Sequence, residues 1–250
     1  MFDSFKYMFS DKNFIKKYLL VLLFVFIANL FMNWSGVYAP SLNNGKFNIL
    51  CYLLYIIGFV VMFVPFGYSI EVLRHTLSKD SGSELPNINV AQNFLAGLKV
   101  VLSGAVLILA LFVVFYLIGF ITPFFAAGTF GEVMSSVIYV LSLLILFFTS
   151  FFGIVMCCRY VIKPSYLNFV NFKAAIDIVE GNALQYLKSY IATVLLAVVV
   201  YGLSIIFVSY LVNIGYKGLV IYAFLVSVIW SYVIFVLAKI FAKAVDVDKI

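Results

Sequence analysis

Few residues of this chain have side chains that could perform chemistry, and their spacing assembles no catalytic or metal-binding set. Hydrolysis would need a nucleophile beside a base, or a metal ion, and the single histidine is His75. The three cysteines are Cys51, Cys157 and Cys158, with no CxxC spacing, and two adjacent cysteines cannot both serve an ordinary tetrahedral site. We therefore expect no catalytic residue, metal or cofactor, and we interpret His75 as a solvated loop residue and the cysteines as apolar packing residues.

Polar side chains within the apolar segments are also few. An ionisable residue inside a membrane span is usually functional, yet none occurs at mid-span here, and Asn29 is the most polar candidate. This pattern weighs against proton-coupled transport, ion pumping and the translocation of charged substrates. Ala223, Ser227 and Ser231 place small residues four positions apart, which predicts close helix packing within the bundle, with an oligomer interface as the alternative.

The composition indicates that a bilayer surrounds most of the chain. Of its 250 residues, 66% are hydrophobic and 10% are charged, and the mean hydropathy is +1.17. An average soluble domain is roughly 45–50% apolar and about 25% charged. The net charge of +6 comes from residues that flank apolar spans, so topology explains it better than nucleic-acid binding does. We expect membrane lipid and other membrane proteins as partners, and no nucleic acid.

The apolar runs predict an all-α fold in which six transmembrane helices form one membrane domain over residues 1–250. Each run has about the 20 residues that a bilayer requires, and short polar or glycine-containing connections separate them. Pro65 should kink the second span near its far end, and Thr122-Pro123 should end the third, followed by a loop over 124–131. The predicted spans cover about 18–37, 49–70, 99–121, 133–158, 189–213 and 218–238.

The distribution of Lys and Arg predicts how the spans are oriented. One set of connections carries 14 basic residues and the opposite set carries 2, and cytoplasmic connections hold the excess of basic residues. Both termini and both long connections should therefore face the cytoplasm, in a multi-pass protein of the cell membrane.

Two segments have the periodicity of helices that lie along the membrane surface. In the first, over 1–17, apolar residues at 2, 5, 8 and 9 alternate with polar ones. In the second, over 163–188, Phe169, Phe172, Ile176 and Val179 form one stripe, and charged residues form another. We predict interfacial amphipathic helices on the cytoplasmic side, and for the second segment packing under its own bundle is an equal alternative.

A recurring asparagine before the spans suggests an internal repeat of three helical hairpins. Asn13, Asn93 and Asn182 each precede a span by a similar distance, and an asparagine side chain can accept a hydrogen bond from a free N–H at the start of a helix. We interpret the three as helix caps in repeats over about 1–70, 71–160 and 161–250.

The longest polar interruption, residues 67–99, carries a family resemblance. A Gly-Tyr pair opens a helix, an arginine follows six residues later, and an acidic-Leu-Pro turn leads to Phe-x-x-Gly-Leu-Lys and an apolar span. In this pattern the chain resembles the membrane proteins of domain-of-unknown-function family 4013, which implies a polytopic membrane protein without an assigned activity. The matching residues are Gly67, Tyr68, Arg74, Glu84, Leu85, Pro86, Phe94, Gly97, Leu98 and Lys99.

Three functions are compatible with this sequence. The first is a non-enzymatic scaffold or accessory module that organises lipid or partner proteins through its cytoplasmic face, with Arg74, Glu84 and Lys99 as candidate contacts. The second is a permease-like carrier of a neutral or apolar solute, with Pro65, Asn29 and Pro123 along its path. An intramembrane enzyme is the third and lacks a catalytic set. A sealed core favours the scaffold, and a continuous polar cavity that reaches Asn29 favours the carrier.

Overall fold

The computed structural model describes residues 9, 11–38, 49–78, 85–125, 128–169, 171–211 and 214–245, and this part of the chain is helical without strands. A 3-10 turn at Tyr166–Phe169 follows the fifth helix. The eight α-helices are α1 Phe14–Tyr38, α2 Ile49–Val61, α3 Phe63–Leu77, α4 Val90–Phe125, α5 Gly128–Ile162, α6 Phe172–Glu180, α7 Ala183–Leu211 and α8 Tyr216–Ala244.

The predicted spans fall on helices of the described chain. Five stretches of the described chain are long and apolar enough to cross a membrane: Phe14–Ser35, Ile49–Leu77, Ser136–Ile162, Ala183–Leu211 and Lys217–Ala244. The remaining predicted span, 99–121, lies within the 36-residue helix α4, which is longer than the roughly 20 residues that a bilayer requires.

The two prolines predicted to disturb helices behave differently. The second span is interrupted at Met62, between α2 and α3, because Pro65 has no N–H to donate to the carbonyl four residues earlier. The expectation for Thr122-Pro123 was wrong. Helix α4 continues to Phe125 and α5 already begins at Gly128, so the predicted loop is much shorter. Membrane helices tolerate an internal proline when neighbouring groups satisfy the backbone that it leaves free.

Helix α8 is the centre of the bundle. It packs against α1, α3, α5 and α7, and its Phe235 is fully buried. The ring centroid of Phe235 lies 6.0 Å from that of Phe14 on α1 and 5.9 Å from that of Tyr68 on α3, both edge-on. This edge-to-face arrangement is one that aromatic rings prefer, and it joins three helices at one point.

Much of the apolar surface of the other helices has no protein neighbour. Only 17% of an 18-residue apolar stretch within Ser136–Ile162 is buried, and only 11% of one within Ala183–Leu211. Large apolar side chains remain exposed there, among them Tyr139 at 65% and Tyr210 at 76%. Apolar surface on this scale marks a region that faces lipid, as the composition predicts.

Helix α6 corresponds to the second predicted amphipathic segment, and it packs against the bundle. Ala175 and Ile178 are buried in the apolar core, and the Phe172 ring contacts Phe152 on α5 at 6.3 Å. Ile176, a member of the predicted stripe, is 41% exposed, and the face that packs on the bundle follows positions 172, 175 and 178. Of the first predicted amphipathic segment, residues 1–8 and 10 lie outside the described residues, and the start of α1 occupies its last four positions.

The ends that carry most of the basic residues meet at one end of the bundle, here called the basic end. Lys17, near the start of α1, contacts the segment before α4. Arg74, near the end of α3, contacts the end of α5, and Cys158 on α5 contacts Phe241 near the end of α8. The starts of α1 and α4 and the ends of α3, α5 and α8 therefore share one side, which the charge distribution predicts to be cytoplasmic.

Candidate functional site

Two glycines let helices α3 and α4 touch backbone to backbone. A Cβ atom built on Gly67 would lie 1.6 Å from the carbonyl oxygen of Asn93, and one built on Gly97 would lie 1.9 Å from the carbonyl oxygen of Phe63. Real Cβ atoms essentially never approach closer than 3.0 Å, so no other residue fits without moving a helix. Small residues serve close packing in this way in membrane helices. Both glycines belong to the pattern that carries the family resemblance.

The predicted capping role of Asn93 was wrong. Asn93 lies in the fourth position of α4, is 2% exposed and faces the crossing with α3. The cap is Asn89, whose side-chain oxygen accepts a hydrogen bond from the Gln92 amide at 3.2 Å. The four-residue pattern Asn89-x-x-Gln92 was a visible signal for this, since asparagine is favoured directly before a helix. The Asn93 side-chain amide has no hydrogen-bond partner among the described residues.

The other two asparagines do stand directly before helices. The Asn13 carbonyl accepts the first backbone hydrogen bond of α1, from Lys17, and the Asn182 carbonyl accepts that of α7, from Tyr186. Before α1, however, the side chain that accepts a backbone bond belongs to Asp11, which receives the Asn13 amide at 2.6 Å. Capping by the Asn13 and Asn182 side chains stays a prediction, and so does the threefold repeat. Asn93, however, does not occupy the position before a helix that Asn13 and Asn182 occupy.

A buried ion pair ties the segment before α4 to the N-terminal region, and we call this contact the Asp11 clamp. Lys17 Nζ lies 2.8 Å from Asp11 Oδ2 and also donates to the Leu85 carbonyl. Asp11 Oδ2 in turn accepts the Leu85 amide at 2.7 Å. The Tyr68 hydroxyl donates to the Pro86 carbonyl at 3.1 Å. The backbone around the Leu-Pro turn is therefore held from two sides.

The electrostatics of the Asp11 clamp favour the charged carboxylate. Burial by itself would raise the pKa of Asp11, but hydrogen bonds from Lys17, Asn13 and Leu85 and the Lys17 charge outweigh it and lower that pKa below its ordinary value of 3.8. Sequence reasoning missed this clamp because Asp11 and Leu85 are 74 positions apart. Its only local signal was a carboxylate six residues before a lysine at the start of a span.

Beside the helix crossing lies a groove of about 300 Å³ at the basic end, here called the α3–α4 groove. Arg74 donates from Nε to the Val161 carbonyl at 3.3 Å and from Nη1 to Glu71 Oε1 at 2.6 Å. Val161 lies in the last turn of α5, where carbonyls lack helical partners and attract cations. The groove is lined by Ile70, Glu71, Arg74, Gln92, Leu95, Ala96, Lys99, Val100, Tyr160 and Pro164.

The structure brings two of the three predicted contact residues together. Arg74 and the exposed Lys99 line the same groove, and Arg74 forms an ion pair with Glu71 one turn earlier. Glu84 lies outside the described residues. His75 is half-buried rather than solvated, and its Nδ1 has no hydrogen-bond partner in the described part of the chain.

Asn29, the polar residue predicted to shape a solute path, is part of a helix interface. Its side-chain amide donates to Ser227 Oγ on α8 at 2.9 Å, and Ser227 Oγ donates to the Ala223 carbonyl. Ala223, Ser227 and Ser231 are all fully buried, so these small residues pack within the bundle as predicted. Asn29 does not line the α3–α4 groove or either of two other grooves in the part of the chain that the structure describes.

Long apolar helices with exposed apolar surfaces and a polar end define this chain as a multi-pass helical membrane protein. A family model described as "Protein of unknown function (DUF4013)" matches residues 50–212. The chain therefore belongs to this family, as the pattern around Gly67 and Gly97 indicates. No curated protein and no solved structure matches it.

Proposed function

We propose that the protein is a non-enzymatic membrane scaffold or accessory module that organises lipid or partner proteins through its basic end. The observation that carries this proposal is the α3–α4 groove, in which Arg74 and Lys99 face one carboxylate, that of Glu71. One cation is therefore in excess, and an acidic group from a lipid or a protein would complement it.

Backbone and side-chain contacts hold the walls of the α3–α4 groove in place, which suits a binding surface. One wall is fixed by the backbone contact at Gly67 and Gly97, and the Asp11 clamp holds the segment that leads into α4. Arg74 itself is oriented by two hydrogen bonds, to Val161 and to Glu71. A charged group that is already oriented loses less conformational entropy when a partner binds.

The carboxylates of the Asp11 clamp and of the α3–α4 groove support a role other than catalysis. Asp11 and Glu71 are engaged in ion pairs, whereas a general base needs access to a substrate proton. The carrier alternative requires a polar path, and the Asn29 amide on which it depends is bonded to Ser227. No described contact favours that alternative, and the basic end remains the surface on which we base the proposal.

Recovery of native partners tests this proposal. The intact chain and the single variants Lys99→Gln and Arg74→Gln are purified from native membranes after mild cross-linking, and bound lipids and proteins are identified. Lys217→Gln, at the opposite predicted face, is the matched control. We expect Lys99→Gln and Arg74→Gln to lose a lipid or protein that the control retains, with unchanged membrane insertion. Identical recovery in all variants would refute a role of the groove.

A further inference from the structure

A second groove at the basic end lies between the start of α1 and the segment that leads into α4, and we call it the α1–α4 groove. Its volume is about 280 Å³. It borders the Asp11 clamp, with which it shares Lys17, and it has no lining residue in common with the α3–α4 groove. Its lining residues are Asn13, Lys16, Lys17, Leu20, Asn87 and Ile88.

The polar side chains of the α1–α4 groove supply hydrogen-bond donors. Lys16 is exposed, and its ammonium group forms no ion pair or hydrogen bond within the part of the chain that the structure describes. The exposed side-chain amide of Asn87 has no partner among the described residues either. Lys17 has three N–H donors, of which Asp11 and the Leu85 carbonyl take two. The described lining of the groove therefore offers several donors and one uncompensated positive charge.

The apolar residues of the groove lie on its membrane side. Leu20 follows Lys16 by four positions, so it lies on the same face of α1, one turn deeper in the bilayer. Ile88 lines the groove from the segment before α4. The neighbouring Leu19 is 54% exposed, so this part of α1 continues into the apolar surface that faces lipid. The donors therefore lie where the first span meets the lipid headgroups, and the apolar residues lie where the acyl chains begin.

We propose that the α1–α4 groove binds one anionic phospholipid. Its phosphate lies between the Lys16 ammonium group and the Asn87 amide, and one acyl chain extends from there over Leu20. Charge selects this occupant, because no acidic side chain is among the described residues that line the groove, and the nearby Asp11 carboxylate is paired with Lys17. A zwitterionic lipid carries its own cation and leaves the Lys16 charge uncompensated. Basic pockets between membrane helices on the cytoplasmic side suit anionic headgroups.

Lipid titration of the purified full chain tests the proposal. The protein is stripped of lipid in neutral detergent, and native mass spectrometry measures the binding of dioleoyl-phosphatidylglycerol and dioleoyl-phosphatidylcholine at increasing concentration. We expect saturable phosphatidylglycerol binding and only weak phosphatidylcholine binding. Lys16→Gln should weaken phosphatidylglycerol binding about fivefold, from the loss of one cation at the headgroups. Asn87→Ala should also weaken it about fivefold, from the loss of one hydrogen bond, although this substitution changes no charge.

Two lysine variants separate this groove from a general attraction between charges. Lys12→Gln removes an exposed lysine at the same end of α1 that does not line the groove, and it should leave the binding unchanged. Lys99→Gln, in the α3–α4 groove, should also leave it unchanged, so a failure of the scaffold proposal and a failure of this one are distinguishable. Equal losses in Lys12→Gln and Lys16→Gln would overturn the proposal.

Two further arms identify the source of the phosphate and the occupant. Inorganic phosphate should displace the lipid poorly, because it does not cover Leu20. Full displacement by inorganic phosphate, equal binding of phosphatidylcholine, or unchanged binding in Asn87→Ala would overturn the proposal. So would saturable binding that requires the double variant Asp80→Asn, Glu84→Gln, which would assign Lys16 to acidic residues of the chain itself.

Discussion

Replacing Gly97 by alanine should separate two helices that now touch. The added Cβ would lie 1.9 Å from the Phe63 carbonyl oxygen, and it needs at least 3.0 Å. The difference requires the α3–α4 crossing to open by about 1.1 Å. Both partners of the close contact are backbone atoms, so no side-chain rotation can relieve it.

The expected loss of stability follows from that displacement. A gap of 0.5–1 Å already removes about a quarter to a half of a dispersion contact, and the ring contact of Phe63 with Phe94 at 5.5 Å lies beside the crossing. Overpacking of this kind costs about 3 kcal/mol. The higher helix propensity of alanine offsets about 1 kcal/mol of that. We therefore expect Gly97→Ala to lower the free energy of unfolding by about 2 kcal/mol.

Helix α4 supplies the matched control. Gly104 lies two turns after Gly97 on the same helix, and a Cβ built on it meets no atom within 4 Å. Gly104→Ala should therefore leave stability unchanged or raise it by up to about 1 kcal/mol. The free energies are measured by titrating the purified protein in mixed micelles with a denaturing detergent and following tryptophan fluorescence and circular dichroism.

Gly67→Ala provides a second comparison. Because Gly67 and Gly97 face each other across one crossing, a single opening of the helices accommodates both new Cβ atoms. The loss in the double variant should be smaller than the sum of the single losses. If Gly97→Ala and Gly104→Ala unfold at the same detergent fraction, the backbone contact does not exist as described.

Three further predictions concern the clamp, the polar interface and the topology. The stabilisation from Asp11 should be complete above its ordinary pKa of 3.8 and should be lost as the pH falls through its lower pKa in the folded protein. Asp11→Asn should lower the free energy of unfolding by about 3 kcal/mol at pH 7 and remove that acid dependence. An unchanged acid transition in the variant would contradict the clamp. A double-mutant cycle with Asn29→Ala and Ser227→Ala should give a coupling of about 0.6 kcal/mol, and a coupling of zero would show that the 2.9 Å hydrogen bond contributes nothing. In a chain without its native cysteines, a cysteine at Asn44 should react with an impermeant reagent from outside the cell and one at Ser81 should not; the opposite labelling would reverse the predicted orientation.

The local sequence pattern was sufficient to predict where the membrane helices lie. Runs of apolar residues near span length fix where helices cross a bilayer, because a backbone in lipid must satisfy its own hydrogen bonds. The described residues of all six predicted spans lie on helices, apart from Met62. The interruption at Met62 also followed from one residue, since Pro65 lacks a donor whatever its surroundings. The proline rule failed at Pro123, where α4 continues to Phe125.

Sequence patterns predicted less well the role of a residue when that role depends on which helix packs against it. Asn93 shares its residue type with true caps, yet its neighbour Asn89 accepts the capping bond and Asn93 is buried against Gly67. The predicted stripe on α6 included Ile176, because spacing alone does not say which face meets α5. Arg74 and Lys99 were predicted as contacts of one cytoplasmic face, but only the packing of α3, α4 and α5 places them in one groove.

By itself the sequence determined that the chain lies in a lipid bilayer, that it is a multi-pass helical membrane protein, and to which family it belongs. Hydropathy, basic flanks and the pattern around Gly67 and Gly97 are all local properties of the sequence. The tertiary structure decided what that pattern accomplishes. Gly67 and Gly97 are 30 positions apart in the chain, and their common purpose becomes visible only when α3 and α4 meet at a distance that no side chain allows. Asp11 and Leu85 likewise come together only because α1 and α3 both pack on α8 at the basic end.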